Sequence, residues 1–163
     1  MKSKSMLIVG CGDLGERAGS LLLDAGWSVT GLRRDTSRLP AGFAGLAADY
    51  AAADADFSAL EALVSSTRVY AEAEGGWVDD DSALTTDDPA ALAIIEAERL
   101  LFDSPHPASV VRSSGIYGDP DGFLLRRILR GELCPESPVR YGNRIHRDDL
   151  GGLLAWLLQQ WAA

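Results

Sequence analysis

Gly10, Gly12 and Gly15 stand in the run Gly10-Cys11-Gly12-Asp13-Leu14-Gly15, directly behind the apolar segment Met6-Leu7-Ile8-Val9. Glycines at this spacing, between a strand and a helix, can cradle phosphates. The first permits a tight turn, the second lets a pyrophosphate approach the backbone, and the third lets the helix pack close to the strand. Asp13 and Leu14 open the helix, where backbone N–H groups lack helical partners and the dipole is positive. Strand, turn and helix in this order make a dinucleotide site of Gly10, Gly12, Asp13, Leu14 and Gly15. An ordinary strand–helix turn is the plainer alternative.

A second chemical signal follows. An acid roughly 20 residues after such glycines usually bonds a ribose 2′-OH. Here the next strand ends in Arg33 and Arg34. A guanidinium suits a 2′-phosphate through paired, charge-assisted bonds. NADP is therefore preferred, with NAD as the alternative. Two solvated arginines, with Asp35 close by, are the competing reading.

The elements that must position these residues are legible in part. Leu14, Ala18, Leu21, Leu22 and Ala25 form one helical face, and Gly26 is a C-cap candidate. Residues 27–32 predict a second strand, giving a βαβ unit with parallel strands. Residues 43–49 predict a weak third strand, and residues 56–63 a short helix with Asp56 as N-cap. Residues 64–70 predict a strand, yet no turn residue separates Leu63 from Val64. Further helices are predicted over 90–102, 122–130 and 148–161, and a short buried strand over 109–112. In the last helix Leu150, Leu153, Leu154, Leu157 and Leu158 form the apolar face, and Trp156 and Trp161 are expected to pack. The expected fold is α/β, a Rossmann-type doubly wound parallel sheet with a small C-terminal helical appendage. Residues 1–118 are assigned to the dinucleotide-binding domain and residues 119–163 to a small substrate-side helical region.

Composition narrows the function classes. The chain has 163 residues and a net charge of −9, which argues against nucleic acid as a partner. Glu72, Glu74, Asp79, Asp80, Asp81, Asp87 and Asp88 form an acidic stretch without a base, read as a solvated loop. No apolar run reaches the roughly 18 residues that would span a bilayer, so no membrane partner is expected. Met1-Lys2-Ser3-Lys4 leads directly into the first strand, which reads as no secretory leader. Cys11 and Cys134 make no disulfide framework. These features point to the cytoplasm. No Cys/His/Asp cluster has metal-ligand spacing, so no metal is expected. His106, between two prolines, reads as a loop residue, and His146 as a structural hydrogen-bonding residue. The oligomeric state is not legible.

Four segments together resemble the extended short-chain dehydrogenase/reductase superfamily, the NAD-dependent epimerase/dehydratase-like proteins. They are the glycine turn, Val64-Ser65-Ser66-Thr67-Arg68-Val69-Tyr70, Val111-Arg112-Ser113-Ser114-Gly115-Ile116-Tyr117-Gly118, and Asn143-Arg144-Ile145-His146-Arg147-Asp148-Asp149-Leu150. They lie in family order, and the chain looks most like the atypical nucleoside-diphosphate-sugar epimerase-like group. The resemblance implies that Arg33 and Arg34 meet the adenosine ribose and that Asp49 bonds the adenine amino group. It places Ser66, with Thr67 as second choice, at the reacting substrate oxygen. It sets Ser114, Gly115 and Ile116 beside the nicotinamide, and His146 and Asp149 in a motif linking cofactor domain and substrate region.

The departures from the family pattern carry equal weight. The family's proton-transfer pair, Tyr-x-x-x-Lys, is absent. The only lysines are Lys2 and Lys4, and the matching helix positions are Ala90 and Ile94. The chain also lacks the strand and helix that relatives carry before Val64, and it stops at Ala163 where they usually continue. A short version of the fold, a degenerate paralogue and a damaged reading frame are all consistent with that. The expected function is an NADP-preferring oxidoreductase or epimerase-like protein with a small, sugar-nucleotide-like substrate. Proton transfer would fall to Ser66, Thr67, Tyr70, Tyr117 or water. The alternatives are an NADP-binding sensor without turnover and a non-binding remnant. A compact sheet of order 3-2-1-4-5 is expected, which would bring Ser66 toward the glycine turn.

Overall fold

The computed structural model describes residues 4–48, 62–105, 108–133, 136–137, 139 and 141–161. In chain order the elements are β1 (Ser5–Val9), α1 (Asp13–Asp24), β2 (Ser28–Arg33), β3 (Ala44–Ala47) and β4 (Ala62–Ser66). There follow α2 (Pro89–Phe102), β5 (Ser109–Ser113), β6 (Gly115–Tyr117), α3 (Phe123–Leu129), β7 (Arg144–His146) and α4 (Arg147–Trp161). Short 3-10 turns occupy Thr36–Arg38 and Thr67–Val69. The chain divides into two compact units, residues 1–55 with 146–163, and residues 56–145.

In the first unit β1 pairs with β2 in parallel, Met6 opposite Val29 and Val9 opposite Leu32. Beside it β2 pairs with β3, Thr30 opposite Ala44. The helix α1 connects β1 to β2, as a parallel pair requires. Its C-terminus is set by Gly26, whose φ of +83° few side chains tolerate. Gly26 N donates to Leu23 O at 2.9 Å and Trp27 N to Leu22 O at 3.0 Å, which satisfies late helical carbonyls. The buried stripe of α1 runs through Ala18, Gly19 and Leu22. Leu21 and Ala25, expected on that stripe, face outward.

The core of this unit is Leu22, Trp27, Val29 and Ala155, with Met6, Ile8, Leu23, Phe43 and Leu158 packed against it. The last helix therefore completes the core of the dinucleotide fold. It lies close on α1: a Cβ added to Gly151 would sit 2.9 Å from Arg17 Cβ. Leu150, Leu154 and Ala155 are buried on α4, whereas Leu153 and Trp156 are exposed, contrary to the sequence expectation. The contact stripe follows Gly151 and Ala155, whose small side chains let the helices approach, and this turns Leu153 and Trp156 away.

In the second unit β4 and β5 pair in parallel, Val64 opposite Val111 and Ser66 opposite Ser113, and α2 connects them. Asp88 caps α2 by accepting from Ala90 N at 3.0 Å and Ala91 N at 3.4 Å, and Pro89 opens it. Both are favoured helix-start residues. The strands β6 and β7 form a separate two-stranded sheet.

Two expectations change here. Of the predicted helix over 56–63, residues 56–61 lie outside the described residues, and Ala62 and Leu63 belong to β4. They pair with Ser109 and Val110, so ladder pairing overrides their helical preference. The absent turn at Leu63–Val64 is thereby explained, because the strand is already under way. The expected continuous 3-2-1-4-5 sheet is not seen among the described residues. The parallel ladders are β1-β2-β3 and β4-β5, and no ladder joins β1 to β4 among the described residues. Among the described residues no helix is long and apolar enough to cross a membrane.

Leu22 is fully buried at the centre of the first unit. Leu22→Ala is expected to lower unfolding free energy by about 2–5 kcal/mol, lost transfer energy plus a cavity. Urea denaturation followed by Trp27 emission measures it; a loss below about 1 kcal/mol would show that this is not the core.

Candidate functional site

The glycine turn is built as its chemistry requires. Gly10 has φ +68°, a left-handed conformation that glycine adopts without strain. It folds the turn so that Gly12 N donates to Gly10 O at 2.7 Å, while Cys11 N donates to Leu32 O at 3.1 Å and ties the turn to β2. A Cβ on Gly12 would meet only Gly10 O, at 3.8 Å, so this side of the turn is open. A Cβ on Gly15 would lie 2.8 Å from Ile8 Cγ2, so the third glycine lets α1 press on β1.

Gly12 is also the N-cap of α1, with no side-chain cap bond. The N-cap residue thus supplies no side-chain acceptor to the N–H groups of the first turn. Asp13 stands at that end, exposed, and two cations hold it. Arg17 Nε lies 3.3 Å from its Oδ1, and Arg147 NH1 3.3 Å from the same oxygen. Arg17 also pairs with Asp148. This Asp13–Arg17–Arg147–Asp148 cluster offsets the acid beside the glycine turn. Cys11 is buried, and burial, then Glu16, push its thiol above the ordinary range. A buried thiol held protonated is an inert filler of the turn.

The two arginines after β2 differ. Arg33 NH1 donates to Glu16 Oε1 at 2.8 Å, and both side chains are half-buried. Arg34 is exposed. Asp35 turns away to cap a 3-10 turn, accepting from Ser37 N at 3.0 Å and Ser37 Oγ at 2.7 Å. The bonds from Ser37 hold its carboxyl below the usual carboxylate range. Asp49 lies outside the described residues.

In the second unit Ser66 ends β4, and its Oγ accepts from Arg68 N at 3.2 Å, which caps the turn beginning at Thr67. The carboxyl ends of parallel strands are where ligands sit in open α/β sheets. Ser66, Thr67 and Ser114 are brought to that end of the β4-β5 ladder. Gly115 and Ile116 follow on β6; Gly115 N donates to Asn143 O at 3.2 Å. Arg144 NH1 would lie 2.8 Å from a Cβ on Gly115. His146 Nδ1 accepts from Asp148 N at 3.3 Å at the start of α4.

Sequence reasoning missed the network beneath Ser66. Glu98 of α2 is 3% exposed. It accepts from Ser65 Oγ and from Arg112, whose NH2 lies 2.7 Å from Oε2 and whose Nε lies 3.1 Å from Oε1. Arg112 NH1 donates to Tyr70 Oη at 3.2 Å, and its guanidinium lies 5.1 Å from that ring's centre. Ser113 Oγ donates to Ser65 O at 3.1 Å. Arg68 reaches Asp88 with Nε at 2.6 Å and NH2 at 3.1 Å, joining the turn to the cap of α2. The turn carrying Thr67 is thus held from both sides. The available signals were an arginine in an otherwise apolar strand and an acid in the helix that returns to it.

Burial alone would raise the Glu98 carboxyl, but the bonds from Arg112 and Ser65 outweigh it and bring it below the ordinary value. Those from Glu98, then Tyr70, raise Arg112. Among the described residues no group of three or more His, Cys, Asp or Glu could hold a metal ion.

Comparison with solved structures places this fold. The chain is 31% identical to a structure described as an NAD-dependent epimerase/dehydratase from Methylobacillus flagellatus, with TM-score 0.78, covering 99% of this chain and 72% of that one. The enzyme WbmH of Bordetella bronchiseptica, solved with NAD+, gives TM-score 0.73 at 14% identity over 96% of this chain and 73% of its own. MoeE5, solved with UDP-glucose and NAD, gives TM-score 0.70 at 20% identity over 93% and 70%. No protein-family model and no curated protein matches. The chain belongs to the NAD-dependent epimerase/dehydratase family of extended short-chain dehydrogenase/reductase proteins.

Glu98→Gln would leave Arg112 largely buried without its counter-charge, at a cost of about 3–5 kcal/mol at neutral pH. Because folding lowers the Glu98 carboxyl, its stabilisation is complete above the ordinary carboxylate range. It is lost as pH falls through the lowered value. The gap between parent and variant in urea unfolding should therefore narrow below about pH 4. A gap independent of pH would contradict this account of the pair.

Proposed function

We propose that the protein is an NADP-preferring oxidoreductase or epimerase-like protein acting on a small sugar-nucleotide substrate. The observation that carries the reading is the glycine turn, open at Gly12 and uncapped at α1. Gly10, Gly12, Asp13, Leu14 and Gly15 would hold the pyrophosphate through backbone N–H groups. Arg34, exposed, would grip the 2′-phosphate, with Arg33 set by Glu16 beside it; Asp49 is proposed for the adenine. Ser114, Gly115 and Ile116 would flank the nicotinamide. The fit of a dinucleotide rests on the space at Gly12, where only Gly10 O approaches a Cβ. When bound, the cofactor supplies hydride exchange. Ser66, with Thr67 second, would hydrogen-bond the reacting oxygen; the Ser66 Oγ that accepts from Arg68 N still has its proton to donate.

A second reading, a nucleotide sensor without turnover, is favoured by Ala90 and Ile94 on α2, where the family's Tyr and Lys would stand. NADPH titration followed by fluorescence, then assay with UDP-sugars, separates the two. Binding with turnover supports the first, and binding alone supports the second. Absence of NADPH binding would sink both.

Arg34→Asp removes a phosphate partner and adds repulsion. A charge-assisted bond is worth about 1.5–3 kcal/mol, so NADPH affinity should fall roughly tenfold or more while NADH affinity changes little. Equal losses for both cofactors would refute the assignment. Where turnover is found, Ser66→Ala should lower it by more than it lowers cofactor affinity. Full activity in that variant would exclude Ser66 as the reacting-oxygen partner.

A further inference from the structure

Asp35 is the first carboxylate after β2, and its own 3-10 turn engages it through Ser37. Another carboxylate reaches the end of β2 from the neighbouring helix. Glu16 lies in the first turn of α1, where its N–H donates to Gly12 O at 2.8 Å. Its Oε1 accepts from Arg33 NH1 at 2.8 Å, and the two side chains are 29% and 25% exposed. The pair therefore closes the gap between the start of α1 and the end of β2. It lies near Cys11 of the glycine turn, whose thiol burial and then Glu16 raise and Arg33 lowers. Glu16 Oε2 has no partner among the described residues.

This pairing divides the two arginines. Glu16 cancels the charge of Arg33, whereas Arg34 is exposed and has no ion-pair partner among the described residues. In a dinucleotide fold the adenosine ribose lies where the second strand ends. An acid there bonds the ribose 2′-OH, and an arginine accommodates a 2′-phosphate. Glu16 and Arg33 bring one of each to that place, from two different elements. A carboxylate accepts from a hydroxyl, has no proton to give a phosphate, and repels one at short range.

We propose that Glu16 sets the choice between the two cofactors. Its Oε2 takes the 2′-OH of NAD, and the same carboxylate competes with the 2′-phosphate of NADP for Arg33. The inference rests on the dinucleotide reading above and adds to it a residue that opposes Arg34. The preference given by Arg34 is thereby held down, and NAD stays within reach of the site. A plainer role for Glu16 is to complement the positive end of α1. That role would alter stability and leave the ratio of the two cofactor affinities unchanged.

Isothermal titration of the full chain and of Glu16→Gln, with NADPH and with NADH, separates the two roles. Glutamine keeps the length and an acceptor for Arg33 but removes the charge. NADPH is expected to bind the variant several-fold more tightly and NADH several-fold more weakly. The ratio of the two dissociation constants should move roughly tenfold toward NADPH, the size of one charge-assisted bond. Circular dichroism and urea unfolding report any loss of fold or stability separately. A ratio that is unchanged in Glu16→Gln, or that moves toward NADH, overturns the proposal while the dinucleotide reading stands. Failure of the parent chain to bind either cofactor sinks that reading, and the proposal with it.

Discussion

A Cβ on Gly15 would lie 2.8 Å from Ile8 Cγ2, and one on Gly19 would lie 2.5 Å from the ring of Phe43. The approach of α1 to the sheet is therefore set by side chains that are absent, and much of the first unit depends on that approach. Because α1 lies close, its N-terminus reaches the end of β1 and its first N–H groups face the turn. Leu22 meets Trp27 and Val29, and Ala155 closes the core from α4. The requirement that suits the turn to a phosphate is thus the requirement that holds the core together. A larger residue at Gly15 would move the cradle and the core at once, since interiors are packed too densely to absorb it.

The second unit depends on charge. Glu98 and Arg112 face each other with little exposure, and a pair of this kind adds modest net stability because both ions must leave water. Its value is in direction. Each oxygen of Glu98 and the fork of Arg112 has a fixed partner, so β4, β5 and α2 can assemble in few other ways. Ser65 bonds downward into this network, which leaves Ser66, the next residue, on the opposite face of the strand. The order Ser65-Ser66 thus separates a hydroxyl that joins the Glu98 network from one that caps the turn at Thr67, although the two residue types are the same.

Much of the first unit was legible because its signals are local. Three glycines, an apolar run and a helical stripe lie within about 25 residues, and each reports a backbone requirement. Gly26 was legible for the same reason, since a left-handed φ at a helix end is a local demand. The network of the second unit was not. Ser65 and Glu98 are 33 residues apart, and Tyr70 and Arg112 are 42 apart. No periodicity reveals which acid meets which arginine. Ala62 and Leu63 were misread because helix propensity is a property of residues, whereas the strand pairing that captures them belongs to Ser109 and Val110. Leu153 was misread because a leucine stripe predicts burial, while Gly151 and Ala155 decide where α4 approaches α1.

The loss of the family's Tyr and Lys bears differently on fold and on chemistry. The helix that would carry them is started by Asp88 and Pro89, and it is fastened to β4 and β5 through Glu98. Neither device uses Ala90 or Ile94. Alanine is the strongest helix former, and the isoleucine at the second position adds apolar surface where a lysine would carry charge. Substitution at these two positions therefore leaves the start and the fastening of α2 in place, and the Arg68–Asp88 clamp continues to hold the turn that presents Thr67. The framework that orients a substrate hydroxyl partner and the pair that moves a proton are independent structures on the same helix. Retention of the first without the second is physically consistent. A chain in that condition can keep an ordered α/β fold without the family's Tyr and Lys.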